Sequence, residues 1–319
     1  MIKKTPAVLF IVPVVLISLA AHANAEPNAP ELLYTPPGPA SAQNPAYSPD
    51  GKTLIFTEFF KGYNAGGASL NRMPSTGGAR EELVRDGDQS AVNMPGSAWN
   101  GPTGLITFSY DITDRAEIWT LAPGGAPQQV KAGEHALPFT EPTFSPNGDW
   151  IVFQENTDQN SPAARGSIWK IRPNGEGLTK LVDGPATNTD NRQPNWSPRG
   201  DKIIFQSRAK DADQADLIVM SPDGTNRVPL LTGPDDDTDA SFSPDGTWVV
   251  YSTNHGGAKN ARLYITRSDG TGQPIQVTNS DRYDGAPSWS PDGAWIVFES
   301  GTGDKLPTQI WRVRVPALS

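Results

Sequence analysis

Asp284-Gly285-Ala286-Pro287-Ser288-Trp289-Ser290-Pro291-Asp292-Gly293-Ala294-Trp295-Ile296-Val297-Phe298 is the clearest copy of a phrase that this chain repeats. Its centre recurs as Ser48-Pro49-Asp50-Gly51, Ser145-Pro146-Asn147-Gly148, Ser197-Pro198-Arg199-Gly200 and Ser243-Pro244-Asp245-Gly246. One interval, of 97 residues, is double length, and a degraded copy, Trp99-Asn100-Gly101-Pro102-Thr103-Gly104, sits near its middle. Six repeats of roughly 45 to 52 residues, rich in short apolar runs and tight turns, predict a β-propeller.

Each turn is preceded by an aromatic residue, Tyr47, Trp99, Phe144, Trp196, Phe242 or Trp289, and followed by an apolar run such as Thr53 to Phe56 or Trp295 to Phe298. Proline presets one φ and glycine takes positive φ freely, so the phrase is the turn of a hairpin. The second run is apolar without strict alternation, as expected for a strand covered on both faces. A third strand follows in every copy, for example Leu70 to Met73 and Ile310 to Val313, and a fourth in the first five, for example Val228 to Thr232. The sixth copy ends after its third strand, while Glu31-Leu32-Leu33-Tyr34-Thr35 is a short apolar strand without a repeat of its own. The expected fold is therefore all-β, a six-bladed β-propeller closed by an N-terminal strand that completes the last blade. The expected layout is a signal peptide over 1–25, a lead-in with the closing strand over 26–43, and the propeller over 44–319.

The signal peptide is read from Lys3 and Lys4, the apolar run Ala7 to Leu19, and the small residues Ala23-Asn24-Ala25. Cleavage before Glu26 would leave 294 residues with 24 basic and 35 acidic groups, a net charge of −11. Such a surface disfavours nucleic acid and stable membrane insertion and favours solubility or cationic partners. The chain has no cysteine, so its core holds the fold without disulfides. The expectation is a monomer in the periplasm or secreted.

The turns between strands one and two, and between three and four, fall on one face of the disc. The opposite face carries the loops between strands two and three and the links between blades, and there the copies differ; variable loops on a common scaffold are where binding usually resides. The candidates at that channel mouth are His135, Glu141, Asp190, Arg192, Asp237, Asp239, Arg282 and Asp284. They form a polar, mainly acidic rim suited to a peptide or a cation, or else solvated loop ends. Glu155 and Glu299, each at the end of a second strand, are the acids to inspect for catalysis.

No G-x-S-x-G nucleophile turn is present. After cleavage His135 and His255 would be the remaining histidines, too few for a three-histidine metal site. No cofactor is expected; calcium is the ion the acidic loops could take, through Asp235, Asp237 and Asp239 or Asp211 and Asp213, although neither set continues as an EF-hand loop.

The repeat resembles that of the TolB propeller family, most clearly over Asp284 to Ser300 and next over Asp239 to Tyr251, and the resemblance covers residues 31 to 319. It implies a periplasmic propeller whose channel mouth binds a partner, as that family binds the peptidoglycan-associated lipoprotein of the Tol-Pal system. The chain departs from TolB in that its first repeat starts at Asn44, where TolB places an α/β domain before the propeller. The leading expectation is a non-catalytic module for an envelope protein or peptide. The alternative is a carbohydrate-active enzyme, lyase or hydrolase, using loop carboxylates with Arg192, Arg208 or His255; carboxylates converging on one deep pocket would favour it.

Overall fold

The computed structural model describes residues 29–85, 92–93, 98–111, 115–135, 137–155, 165–302 and 307–318. Residues 1–25, expected to be a signal peptide, and most of the loop 156–166 lie outside the described residues.

Among the described residues there are six four-stranded antiparallel sheets. The N-terminal strand is β1 (Glu31–Tyr34). The first blade is β2 (Ser41–Tyr47), β3 (Thr53–Phe59), β4 (Ala68–Pro74) and β5 (Glu81–Val84). The second is β6 (Val92–Asn93), β7 (Ile106–Tyr110), β8 (Glu117–Leu121) and β9 (Gln128–Gln129). The third is β10 (Phe139–Phe144), β11 (Ile151–Glu155), β12 (Ser167–Ile171) and β13 (Thr179–Val182). The fourth is β14 (Thr189–Trp196), β15 (Ile203–Ala209), β16 (Asp216–Met220) and β17 (Val228–Leu231). The fifth is β18 (Asp237–Phe242), β19 (Trp248–Thr253), β20 (Arg262–Arg267) and β21 (Ile275–Gln276). The last is β22 (Tyr283–Trp289), β23 (Trp295–Gly301) and β24 (Gln309–Arg314), with β1 paired antiparallel to β24 as its outer strand.

The first blade begins at Ser41, inside the lead-in expected over 26–43. Ser41-Ala42-Gln43 carries no apolar run, so its strand character comes from pairing with Phe59, Glu58 and Thr57.

The repeated turn is held by its own side chains. Ser48 Oγ donates to Asp50 Oδ1 at 2.7 Å and accepts from the Thr53 N–H at 3.0 Å. Gly51 closes the turn on the Ser48 carbonyl with φ +72°. Ser243 and Ser290 repeat the bond to Asp245 and Asp292, and Ser145 makes it to Asn147. Where Arg199 replaces the aspartate, Asp201 accepts from Ser197 instead, at 2.7 Å. The serine hydroxyls hold the carboxyls of Asp50, Asp245 and Asp292 below the usual range. In the degraded copy Asn100 Oδ1 takes the Thr103 N–H, and Asn100 Nδ2 reaches the Ser145 carbonyl of the next blade. Replacing Ser243 with alanine removes one donor and one acceptor from a single turn, and should cost about 1 kcal/mol in a urea titration; an unchanged midpoint would show the turn to be held by backbone alone.

The core lies between blades, in six apolar clusters. Leu54 and Phe56 of β3 face the last blade, with Val297 and Ile310, while Ile55 faces the second, with Phe108 and Ile106. Both faces of each second strand are therefore buried, which explains its lack of polar alternation. Leu33 and Tyr34 of β1 pack on the cluster that joins last blade to first. Among the described residues no helix is long and apolar enough to cross a membrane.

Candidate functional site

Every inner strand except the two-residue β6 is broken once in its middle. At each slip of register stands a non-glycine residue in the left-handed region: Asn44, Glu141, Gln193, Asp239 and Ala286, with φ of 52°, 56°, 49°, 54° and 46°. This conformation costs about 1–2 kcal/mol for a residue with a Cβ, and it recurs at equivalent places around the ring. A bulge re-aims a side chain. Here it turns the bulged residues onto the central channel. Proline follows the bulge in four of the five strands, at Pro45, Pro142, Pro194 and Pro287. Proline has no N–H to lose, so a bulge is where a strand accommodates it.

Above this ring is a cavity of about 560 Å³. Tyr63 and Asn64 from the β3–β4 loop and Asp111 from the β7–β8 loop line it, so it opens on the face of the variable loops. Below, a neck of about 30 Å³ separates it from the mouth on the turn face, where Trp99, Phe144, Trp196, Phe242 and Trp289 line a recess of about 290 Å³.

Four carboxyls line the upper cavity, Asp111, Glu141, Asp239 and Glu299, and the last three are each engaged by another blade. Glu299 Oε2 accepts the Asn44 N–H at 3.0 Å and is also hydrogen-bonded by the Tyr63 and Tyr283 hydroxyls. Gln193 Nε2 donates to Asp239 Oδ1 at 2.6 Å, and the Ala286 N–H donates to the same carboxyl. Asn93 Nδ2 donates to Glu141 Oε1 at 3.2 Å, and Asn44 Nδ2 donates to Asn93 Oδ1 at 2.9 Å. The bulge ring is thus stitched from blade to blade by side-chain hydrogen bonds.

Burial pushes Glu299 up to about 8, with the charge of Asp239 adding to it against the pull of its hydrogen bonds. Burial, then Asp239, raises Glu141 to about 7, with Arg192 and Asn93 opposing. Asp239 itself is raised by burial. Burial and the nearby Glu299 hold the Tyr63 phenol far above its usual range.

Tyr63 and Tyr283 meet edge to face at 6.0 Å with hydroxyls 3.3 Å apart. Tyr283 reaches this place by folding back over Gly285, where a Cβ would lie 2.1 Å from its hydroxyl. A Gly285→Ala chain should therefore expel Tyr283 from Glu299 and lose about 1–3 kcal/mol, the usual cost of overpacking. An unshifted urea midpoint together with unchanged tyrosine near-ultraviolet signals would refute that placement.

The sequence candidates part company here. Glu141, Arg192 and Asp239 line the cavity, joined by Glu299. Asp190 lies behind it, 2.8 Å from Arg192 Nε and 3.2 Å from Arg208 Nη2, and accepts the Gly166 N–H at 2.8 Å. Asp237 and Asp284 are held within their sheets: Asp237 stands opposite Thr253 in the ladder, and Asp284 accepts from Ser300 at 2.6 Å and Ser280 at 3.1 Å. His135 has Nε2 2.9 Å from Glu117 and stacks on Phe139 at 3.8 Å. Arg282 lies over the Trp311 ring at 4.9 Å. Glu155 takes a 3.4 Å bond from Trp169 Nε1, away from the cavity.

The alternating acids 235, 237 and 239 separate as well. Asp235 sits 2.8 Å from His255 Nδ1, Asp237 is in the sheet and Asp239 is in the channel. Among the described residues no group of three or more His, Asp or Glu is placed to hold a metal ion. Gln43, Tyr63, Gln206 and Tyr283 also line the cavity, beyond the residues singled out from sequence.

An uncharacterized peptidase of Bacillus subtilis, YuxL, is 24% identical over 139 residues, which cover 43% of this chain and 20% of the peptidase. This chain thus spans a small part of that relative's length. Among solved structures, a putative TolB from Agrobacterium tumefaciens superposes with a TM-score of 0.62 at 21% identity, covering 88% of this chain and 92% of that one. An oligogalacturonate lyase in complex with manganese superposes at 0.58 with 12% identity, covering 91% and 97%. These likenesses share the fold. The TolB beta propeller domain matches residues 45–274, from the first bulge proline to just before the outer strand of the fifth blade, and the chain belongs to that family.

Proposed function

We propose that this chain is an exported, periplasmic propeller that receives a polar segment of a partner protein or peptide in the upper cavity, without catalysis. The observation that carries this reading is a set of cavity-lining side chains with unused hydrogen-bonding capacity. Both amide atoms of Gln43, Oε1 of Gln206 and Nη2 of Arg192 are buried without a partner among the described residues. Each such group costs about 1–3 kcal/mol unless something meets it. A peptide backbone offers carbonyls and N–H groups together, which is what amides and a guanidinium complement. Glu299, Asp239 and Glu141, in contrast, each already accept a hydrogen bond across a blade boundary. Export rests on the charged and apolar pattern of residues 1–25.

The test is a pull-down from envelope extract with the mature chain and with a Gln43→Leu, Gln206→Leu double variant. These substitutions remove no bond seen in the protein from Gln43 or from Gln206 Oε1, so the variant should fold. One envelope protein retained by the first and lost by the second is the expected result; equal capture by both would place recognition elsewhere.

A second reading, an acid–base enzyme on an oligosaccharide, is favoured by Glu141 and Glu299, raised to about 7 and about 8 on one cavity. General acids and bases work best near the operating pH. Cleavage of acidic oligosaccharides by the mature chain, lost on Glu299→Gln, would decide for it.

A further inference from the structure

The upper cavity has an unbalanced charge. Glu141, Asp239 and Glu299 face it, Asp111 lines it from the β7–β8 loop, and Arg192 is the base among its described lining residues. The Arg192 charge is set against Asp190, with Nε at 2.8 Å, a carboxylate that it shares with Arg208. Asp239 lies close enough to raise both Glu141 and Glu299, so the three acids act on one volume. Two half-buried phenols, Tyr63 and Tyr283, stand beside Glu299, and their rings favour a cation over an anion. Gln43 is 1% exposed and lines the same cavity with Oε1 and Nε2 both unpartnered, so a polar acceptor and donor at its wall are left unmet.

We propose that the segment received by the cavity presents a lysine or arginine side chain to Glu141, Asp239 and Glu299. This inference rests on the peptide-binding reading and names the chemistry of its guest. A cation there supplies the charge that the protein withholds from these acids and bonds to the Gln43 carbonyl as well. It favours their ionised forms, so binding releases protons from Glu299 and Glu141. The groups that oppose or assist this release are those facing the two acids: Asp239, Tyr63, Tyr283 and the Asn44 N–H around Glu299, and Asp239, Arg192 and Asn93 around Glu141. Affinity for a basic guest therefore rises with pH through the range in which the two acids titrate.

Three labelled hexapeptide pools test this against the intact mature chain by fluorescence polarisation: one with a lysine or arginine fixed at a central position, one with norleucine or glutamine there, one with glutamate. The basic pool should bind about tenfold tighter than the neutral pool, tighten further between about pH 6 and about pH 9, and lose its advantage in Glu141→Gln and Glu299→Gln. Neutral or glutamate pools that bind as well as the basic one overturn the inference and leave peptide binding standing. Binding by no pool overturns both. The Gln variants keep an acceptor for Asn44 and the phenols, and their response to pH separates lost charge from lost fold.

Discussion

A chain lacking residues 1–34 should melt far below the full chain and associate on standing. The deletion removes β1, which pairs with β24 through Glu31, Leu32 and Tyr34. Leu33 and Tyr34 leave the cluster that joins the last blade to the first, where Tyr34 stands 5.1 Å from the Phe56 ring. Burial of two such side chains contributes about 3 kcal/mol even when incomplete. Polar contacts go with them: Arg312 loses Glu31 at 2.7 Å, and Glu58, 2% exposed, loses the Tyr34 hydroxyl and keeps Arg80. The half-exposed Glu31 pair adds up to about 1 kcal/mol and the bond to buried Glu58 about 1–2 kcal/mol, so the total is a large share of the ~5–15 kcal/mol that keeps a domain folded. The uncovered edge of β24 then offers unpaired N–H and C=O groups to a second chain. Thermal melts with light scattering decide the matter: a melting point and scattering equal to those of the full chain would mean that closure of the ring by β1 contributes nothing.

The features legible in the sequence are those whose causes are local. Ser243, Pro244, Asp245 and Gly246 make their turn from their own side chains and φ preferences, so the turn can be read from those residues alone. Closure was legible because Glu31 to Thr35 is apolar and the last repeat is short by one strand. The bulges were not read, although they left a mark: Pro45, Pro142, Pro194 and Pro287 fall inside inner strands, where proline belongs at a bulge. Successive residues of a regular strand face opposite sides, and the extra residue at the bulge decides which acid enters the channel. Asp239 does so while Asp237, two positions earlier, stays in the sheet opposite Thr253. No local pattern could disclose the Tyr283 fold-back, since it depends on Gly285 being bare and on Tyr63 arriving from a loop more than two hundred residues away in sequence.

Glu299→Gln should flatten the dependence of stability on pH and leave the substituted chain the more stable one in alkali. Glu299 is 2% exposed and its proton is held up to about 8, against 4.5 for the free side chain. Between those values the folded chain binds the proton and the unfolded chain releases it, so the stability of the natural chain falls as pH rises across the window. Below it both states are protonated and the residue is neutral to stability; above it the full penalty of a buried carboxylate is present. Glu141, raised to about 7, and Asp237, raised to about 6, push the same way over narrower windows. The exposed turn aspartates, lowered by their serines, act in the opposite sense at more acidic pH and only weakly. A glutamine carries the neutral form at every pH and still accepts from Asn44 through Oε1. Urea titrations should therefore find the two chains similar near pH 5 and separated by a few kcal/mol, on the order of 4, near pH 9. Parallel profiles across that range would mean that Glu299 is ionised at neutral pH inside the folded propeller, and the cavity would then hold a standing negative charge instead of a releasable proton.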